Sequence, residues 1–129
     1  MNPKDLKYSK EHEWARVESE SVVVVGITEF AAESLGDVVF VELPENESDL
    51  VQFEKMGEIE SVKAVSDLFS PVSGKVVESN EGLIDTPEMV NDGPFEQGWL
   101  IKVELKSAAE LDNLLTGPSY NSFLESDAV

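Results

Sequence analysis

Short hydrophobic runs and alternating segments dominate the chain, and they predict strands rather than long helices. Segment 21–27 is a run of β-branched residues that favours a buried strand over a helix. Segments 8–18 and 99–105 mix apolar and charged residues as half-buried strands do. With further short strands expected between residues 51 and 80, the pattern predicts a mainly β fold of seven or more strands.

Segment 37–43 alternates between two sets of side chains and ends at Pro44. The alternation predicts a strand with three apolar residues on one face: Val39, Val41 and Leu43. The glycine-led segments 57–63 and 74–80 each look like a strand that runs into a turn. This weak repeat suggests a small pseudo-symmetric β structure, and it places Lys63 at or beside a turn.

Helix signals are fewer and lie outside the predicted strands. Thr28 is placed to cap a short helix over residues 29–35, and Gly36 is placed to end it. Segment 82–98 is rich in Asn, Asp, Pro and Gly, so we expect it to be a loop. Near the end of the chain, Ser107 and Glu110 have the spacing of a capping box, which predicts a helix.

The C-terminal part of the chain is expected to be helical and to pack onto the strands. Gly117-Pro118 should end the helix that starts at Ser107, and segment 119–125 should form a second short helix. No Pro/Gly/Ser-rich linker divides the chain. We therefore expect a single domain over residues 1–129, with a β core at about 8–105 and helices at about 107–125.

Charge narrows the classes of function. The chain has 27 acidic and 9 basic side chains, so its formal net charge is −18. Clustered Lys and Arg, which nucleic-acid binding requires, are missing, and an anionic membrane would repel the chain. The sequence has neither the apolar segment of a signal peptide nor a bilayer-spanning run. We expect a soluble protein, cytoplasmic if bacterial or in the mitochondrial matrix if a mature eukaryotic chain.

Residue types limit the chemistry further. The chain has no cysteine, which excludes disulfides, thiolate metal sites and cysteine nucleophiles. His12 is the only histidine, so zinc sites with several imidazoles are hard to assemble. Because His12 stands beside Trp14 at the start of a strand, a structural or partner-facing role is predicted for it. Phosphate-binding glycine motifs are absent.

Lys63 is the candidate for chemistry that the residue pattern singles out. Its neighbours Val62 and Ala64 are small or apolar and leave the amine accessible. Gly57 and Gly74 bracket the segment as they would a protruding hairpin. An ordinary exposed lysine would have the same surroundings, so the residues alone leave both interpretations open.

The segments around Lys63 resemble a known family. ESVKA at 60–64, Ser66-Asp67 and SPVSG at 70–74 are similar to the lipoyl-attachment signature of the H proteins of the glycine cleavage system. Other segments that resemble the family are 12–14, 25–28, 35–44, 80–83 and 98–100. Each is short, but their order and spacing along nearly the whole chain make the resemblance specific.

The resemblance implies a carrier rather than an enzyme. It implies a flattened β-barrel or barrel-sandwich hybrid of the lipoyl-domain type, with short added helices and a C-terminal helical segment. Lys63 would carry lipoic acid in amide linkage at a hairpin tip. The lipoyl group would supply the redox sulfurs that a chain without cysteine lacks.

The resemblance also implies three partner enzymes and the lipoylation enzymes. The lipoyl group would accept an aminomethyl group from glycine after decarboxylation by the glycine decarboxylase (P-protein). The aminomethyltransferase (T-protein) would pass the one-carbon unit to tetrahydrofolate, and dihydrolipoyl dehydrogenase (L-protein) would reoxidise the dithiol. The carrier itself is expected to be a monomer. Long-range attraction between its charge of −18 and basic patches would speed docking.

Glu13 and Asp67 are the candidates for residues that hold the aminomethyl group. By position beside the family's motifs, their carboxylates are expected to lie in a groove that shelters a cationic amine from water. A solvated surface carboxylate is the other interpretation of each.

Two alternatives stay open at this stage. A lipoyl domain or lipoyl donor serving 2-oxoacid dehydrogenases is the nearest, although Val62 stands where such domains usually have Asp. A carboxylate-based hydrolase is the other, but 27 acidic side chains make chance pairs so common that no pair can be singled out. A biotin carrier would resemble Met-Lys-Met, which is absent.

Overall fold

The computed structural model describes residue 3 and residues 5–126. Over these residues the chain forms nine strands, and in chain order they are β1 (Lys7–Tyr8), β2 (Glu13–Val17), β3 (Val22–Ile27), β4 (Val38–Glu42), β5 (Asp49–Leu50), β6 (Lys55–Ser61), β7 (Val65–Phe69), β8 (Gly74–Ser79) and β9 (Ile101–Leu105). The helices in the same part of the chain are α1 (Glu29–Leu35), α2 (Gly82–Asp85), α3 (Met89–Asp92), a 3-10 helix (Ala108–Asn113) and α4 (Gly117–Leu124).

The strands form two sheets. One sheet has six strands in the order β1-β2-β3-β9-β8-β5, and the other has three strands in the order β4-β6-β7. All of the strand pairs are antiparallel. The prediction of a mainly β fold with short added helices is therefore confirmed. The sheets do not close into a single barrel but form two facing layers.

Apolar side chains from both sheets meet in one core. The six-stranded sheet contributes Val25, Val76 and Val103, all of them fully buried. The three-stranded sheet contributes Ile59 and Leu68 to the same cluster. Because each strand buries one face here, the alternation of apolar and polar residues fixes which side chains of the hairpin β6–β7 remain outside.

Helix α1 forms where its capping residues predict it. Thr28 accepts a hydrogen bond from the N–H of Ala31, and Gly36 ends the helix with its N–H bonded to the carbonyl of Ala32. The predicted helix over residues 29–35 is therefore confirmed. Its position matters because α1 runs alongside the hairpin that carries Lys63.

The predicted faces of the strand over residues 37–43 are wrong. A register shift between Val38 and Phe40 puts an irregularity into β4. As a result Val38 and Val41 are buried, whereas Val39 and Phe40 are exposed. A bulge of this kind adds a residue to one strand and so breaks the alternation that the prediction assumed.

Segment 82–98, predicted to be a loop, contains the two short helices α2 and α3. Leu83 and Val90, one from each helix, are buried in the core. Tertiary burial of these two side chains therefore orders a segment whose composition favours turns. The glycine-led segments 57–63 and 74–80 fall on β6 and β8, which belong to different sheets.

The C-terminal helices differ from the prediction in type and in boundary. The helix after Ser107 is a 3-10 helix, and the Ser107 side chain makes no capping hydrogen bond. The carboxylate of Glu110 instead accepts hydrogen bonds from the N–H and the hydroxyl of Ser73, at 2.7 and 2.8 Å. Gly117 begins α4, which Thr116 caps and which has Pro118 in its first turn, so the Gly-Pro pair starts a helix. None of the helices in the described part of the chain is long and apolar enough to cross a membrane.

Candidate functional site

Lys63 lies in the turn of the β6–β7 hairpin. The N–H of Ser61 donates to the carbonyl of Ala64 at 2.8 Å, and the Ser61 hydroxyl oxygen accepts from the N–H groups of Lys63 and Ala64 at 3.2 Å. The N–H of Val62 donates to the carbonyl of Asp37 at 3.0 Å, which ties the turn to the start of β4. The backbone of the turn is thus fixed, while the Lys63 side chain is exposed.

A groove of about 290 Å³ lies beside this turn, between the hairpin, α1 and the segment that leads into β2. Its apolar lining consists of Ile27, Phe30, Ala31, Leu35, Ile59 and Leu68. Its polar lining consists of Glu11, His12, Glu13, Ser34, Ser66 and Asp67. Lys63 and Ala64 border it at the hairpin. The structure therefore brings Lys63, Glu13 and Asp67 to one cavity, although they lie on two sheets.

Glu13 lies almost completely buried, with 2% of its surface exposed. Its Oε1 accepts a hydrogen bond from the Ser9 hydroxyl at 2.6 Å, and its Oε2 accepts one from the N–H of Phe69 at 3.2 Å. Burial raises the pKa of Glu13 to about 8, although these hydrogen bonds oppose the rise. At neutral pH the carboxyl group is therefore mostly protonated, and the charged form expected from the sequence is the minor one.

Asp67 is more exposed than Glu13. It forms an ion pair with Lys55 at 3.2 Å, and both side chains are 49% exposed. Lys55 also pairs with Glu58 at 2.9 Å. An exposed pair of this kind contributes about 0–1 kcal/mol, so Asp67 can exchange its partner at little cost.

His12 lines the groove from a strained backbone position, with φ at 70°. Its Nδ1 lies 2.7 Å from the hydroxyl oxygen of Tyr120, and its ring packs on Phe30 with 4.7 Å between centroids. Burial lowers the pKa of His12, and the nearby Glu11 carboxylate opposes this effect. Tyr120 and Phe30 thus fix the His12 ring at the border of the groove.

Trp14 belongs to the core behind the groove. Its ring is fully buried, and its Nε1–H donates to the carbonyls of Ile27 and Pro94 at 2.9 and 3.0 Å. Trp99 is partly buried, with the Lys102 amine 5.4 Å from its ring centroid. Both tryptophans have structural contacts, and neither is among the residues that line the groove.

The sequence did not indicate several residues that shape the groove. The Ser9 hydroxyl and the N–H of Phe69 bind the Glu13 carboxyl group, and Phe69 lies 56 positions from Glu13. Tyr120 contacts His12 from 108 positions away in the chain. Contacts at such separations leave no periodic signal. Ser9 could have been found, because it lies four residues before Glu13 and a serine hydroxyl commonly bonds to groups that are close along the chain.

The fold and the site together define a class: a small two-sheet β protein that presents one lysine on a fixed hairpin turn, beside an apolar groove with carboxyl groups at its wall. The sequence profile described as "Glycine cleavage H-protein" matches residues 6–127. The chain belongs to the glycine cleavage H-protein family.

Individual relatives agree with this assignment over most of their length. The chain is 58% identical over 121 residues to the glycine cleavage system H protein of Symbiobacterium thermophilum, covering 94% of each chain. It is 53% identical over 122 residues to the H protein of Staphylococcus carnosus, covering 95% of this chain and 96% of the relative.

A solved structure has the same fold. The crystal structure of a glycine cleavage system H protein from Mycobacterium marinum matches with a TM-score of 0.87 at 38% identity. The match covers 97% of this chain and 100% of that one. The two-layer β fold with its added helices is therefore that of a solved H protein.

Proposed function

We propose that the chain is the lipoyl-carrying shuttle of a glycine cleavage system, that it works as a single carrier domain over residues 1–129, and that Lys63 is its attachment site. The observation that supports this most is the placement of Lys63. In a chain of the H-protein family, this lysine stands exposed on a turn whose backbone is fixed by Ser61, at the border of a groove.

The residues around Lys63 suit a lipoyl group. The Lys63 amine has the room to accept an acyl group, because the side chain lies on the surface. The groove walls supplied by Phe30, Leu35 and Ile59 are apolar, as the hydrocarbon chain and the ring of a lipoyl group would require. When bound, the group supplies a disulfide that takes up an aminomethyl group, gives it up and is closed again by oxidation.

The hairpin positions the lipoyl group, and the groove shelters what it carries. Ser61 fixes the turn, so the position of the Lys63 Cα is set and only the side chain beyond it moves. Amide formation removes the positive charge of Lys63, which lowers the cost of bringing its side chain against the apolar walls. The groove excludes water from whatever group enters it, and this protects a bond that water would break.

Glu13 and Asp67 are proposed to receive a cationic amine in this groove. Both residues border the cavity, and burial is the main cause of the raised pKa of Glu13. A cation that enters would favour the ionised form of Glu13 and so lower its pKa. Asp67 would turn from Lys55, with which it makes only an exposed ion pair, to the same cation.

The proposed partners follow from the family. They are the P-protein, the T-protein, the L-protein and the enzymes that attach lipoate, each of which would bring its own cofactor or substrate to the exposed hairpin tip. We propose that the carrier meets them as a monomer in the cytoplasm of a bacterium, because the relatives named above are bacterial proteins.

Intact-mass spectrometry tests the attachment site. The purified chain is incubated with a lipoate ligase, lipoate and ATP, beside the variants Lys63→Arg and Lys75→Arg. Lys75 is an exposed lysine on β8, so its replacement is a matched control. Wild type and Lys75→Arg should each gain the mass of one lipoyl group, and Lys63→Arg none. Lipoylation of Lys63→Arg would overturn the assignment.

Glycine–bicarbonate exchange with a P-protein tests the function itself. The lipoylated wild type should support exchange, and Lys63→Ala treated in the same way should not. If the lipoylated chain failed to support exchange with P-proteins that work with other H proteins, the shuttle role would be wrong even though the modification was right.

A further inference from the structure

The hydroxyl group of Tyr120 lies between His12, which lines the groove, and Thr28, which caps α1. Its oxygen is 2.7 Å from Nδ1 of His12 and 2.8 Å from Oγ1 of Thr28. Tyr120 and Thr28 are both fully buried. Both contacts join side chains, and Tyr120 lies 108 positions from His12 and 92 from Thr28.

The two partners of Tyr120 each begin an element that lines the groove. Thr28 is the capping residue of α1, whose side chains Phe30 and Ala31 form one wall. His12 is itself a lining residue and precedes Glu13 at the start of β2. The C-terminal helix α4 therefore contacts the start of α1 and the residue before β2 through a single hydroxyl group.

The direction of the hydrogen bonds follows from the donors and acceptors present. The Thr28 hydroxyl oxygen accepts a hydrogen bond from the N–H of Ala31. The Tyr120 hydroxyl oxygen lies within hydrogen-bond distance and accepts the hydrogen of the Thr28 hydroxyl group. If Tyr120 donated to Thr28 instead, that hydrogen would be buried without an acceptor. Tyr120 therefore donates to Nδ1 of His12, and Nδ1 carries no hydrogen.

The consequence for His12 is a fixed protonation state. With Nδ1 as an acceptor, the hydrogen of the neutral ring is on Nε2. Burial, which lowers the pKa of His12, acts in the same direction. Tyr120 contacts the ring, and the titratable groups that line the groove with it are Glu11, Glu13, Lys63 and Asp67. Of these, Glu13 is itself mostly neutral.

We propose that Tyr120 is a positioning residue of the groove: its hydroxyl group, which accepts from Thr28, holds His12 as the neutral Nε2–H tautomer and keeps a hydrogen-bond donor without positive charge on the groove wall. The inference rests on the proposed function in one respect. A groove that receives a cationic amine works better when the nearby imidazole is neutral, because an imidazolium would repel the amine.

The tautomer is tested on the unmodified chain by nitrogen-15 NMR of the imidazole. His12 is the only histidine in the sequence, so the spectrum has one set of imidazole signals. The variant is Tyr120→Phe, and the matched control is Tyr8→Phe. Tyr8 is also fully buried and stacks on Tyr120 with 4.7 Å between ring centroids, but its hydroxyl group donates to the carbonyl of Pro3.

At pH 7 we expect the Nε2–H signature in wild type and in Tyr8→Phe, and a mixture of tautomers in Tyr120→Phe. Thr28→Ser keeps both hydroxyl bonds and should behave as wild type. If Tyr120→Phe does not fold, Thr28→Val removes the other end of the hydrogen-bond chain and carries the same expectation as Tyr120→Phe. The proposal is overturned if wild type has hydrogen on Nδ1, or if the two phenylalanine variants give the same spectrum.

A second measurement tests what the tautomer does for the groove. The lipoylated variants are loaded with the aminomethyl group, and its spontaneous release is timed. Release should be several-fold faster in Tyr120→Phe than in Tyr8→Phe, because loss of the hydrogen bond to Nδ1 lets the imidazole take up a proton and repel the amine. Equal release rates in the two variants would mean that Tyr120 has no role in the groove, even if the tautomer of His12 were as proposed. Because the NMR signature needs no lipoyl group, failure of the proposed function would not be mistaken for failure of this inference.

Discussion

Lys63 runs across the position where Gly36 lacks a side chain: a Cβ atom on Gly36 would stand 3.1 Å from Cε of Lys63 and 3.7 Å from its Nζ. Gly36 ends α1, and its backbone has φ 78° and ψ −158°, a conformation that glycine adopts far more easily than any other residue. One glycine thus serves two purposes, since it ends the helix and leaves a path for the lysine stem.

Gly36→Ala should therefore affect both stability and modification. The backbone strain is expected to lower the free energy of unfolding by about 1–3 kcal/mol, measured by urea denaturation. The new methyl group also displaces the Lys63 stem, so the initial rate of lipoylation should fall. Gly82→Ala is the control, because Gly82 is exposed and the nearest atoms to its new Cβ, at 3.2 Å, belong to side chains. Equal stability of the two variants would contradict the prediction.

Glu13 should make the stability of the protein fall as the pH rises. Its pKa of about 8 in the folded state is above the ordinary value of 4.5, so the folded chain keeps a proton that the unfolded chain has released. The proton-linked stabilisation is full below pH 4.5 and is lost as the pH rises through 8. Between these values wild type should lose about 1.4 kcal/mol per pH unit relative to Glu13→Gln.

Urea denaturation at a series of pH values measures this difference. Glu45→Gln is the control, since it removes a carboxyl group from an exposed position. Its stability curve should run parallel to that of wild type, whereas the curve of Glu13→Gln should diverge from it with increasing pH. Parallel curves for all three proteins would mean that Glu13 is ionised in the folded state.

Replacement of both groove carboxyl groups should shorten the life of the loaded carrier. Glu13→Gln with Asp67→Asn keeps the shape of the groove and removes both groups that could be negatively charged beside a bound cation. Loss of a hydrogen bond to a charged group costs about 1.5–3 kcal/mol, so release of the aminomethyl group should become about tenfold faster or more. Release is timed by the ammonia or formaldehyde that appears in solution.

The control for this prediction removes the same number of charges elsewhere. Glu45→Gln with Asp85→Asn changes two exposed carboxylates that do not line the groove. That double variant should release at the wild-type rate. If the groove variant also did so, neither Glu13 nor Asp67 would hold the amine.

Salt should weaken the productive encounter of the carrier with its partner enzymes. The net charge of −18 produces a long-range field that raises association rates, and salt screens it. The KM for the lipoylated chain in the P-protein reaction should rise between low and physiological ionic strength, with kcat nearly unchanged. A flat KM would leave solubility as the role of the charge.

The position of the responsible charges can be tested in the same assay. Glu58, which is half-buried, and Glu60, which is exposed, lie on the part of β6 that leads to Lys63, whereas Glu45 and Glu47 lie beyond the far end of β4. Glu58→Gln with Glu60→Gln should raise KM and reduce its dependence on salt more than Glu45→Gln with Glu47→Gln does. Equal effects would indicate that only the total charge matters.

Local signals made part of this structure predictable. The side chain of Thr28 and the flexible backbone of Gly36 act within a few residues, so the bounds of α1 could be given from the sequence. The hairpin position of Lys63 was predictable for a similar reason, because small residues and flanking glycines mark a turn. The shift within β4 was not, since it arises where that strand pairs with β6.

The protonation state of Glu13 in the groove was the feature that the sequence predicted least well. Glu13 could be placed beside the lysine by family resemblance, but its burial and its bond to Phe69 depend on a contact across 56 positions. Burial by the fold, and not that hydrogen bond, raises the pKa of Glu13 and leaves its carboxyl group mostly uncharged at neutral pH. A residue's identity can thus be predicted from the sequence while its protonation state depends on the completed fold.

The hydrogen bond between Glu13 and the N–H of Phe69 also bears on how the protein behaves when concentrated. Strand β7 is at the edge of the three-stranded sheet, and open strand edges invite pairing with a strand of another molecule. The Glu13 carboxyl group occupies an amide of that edge from within the same chain. One hydrogen-bonding group of this edge is therefore already occupied, which leaves the edge less able to pair with a strand of another molecule at high concentration.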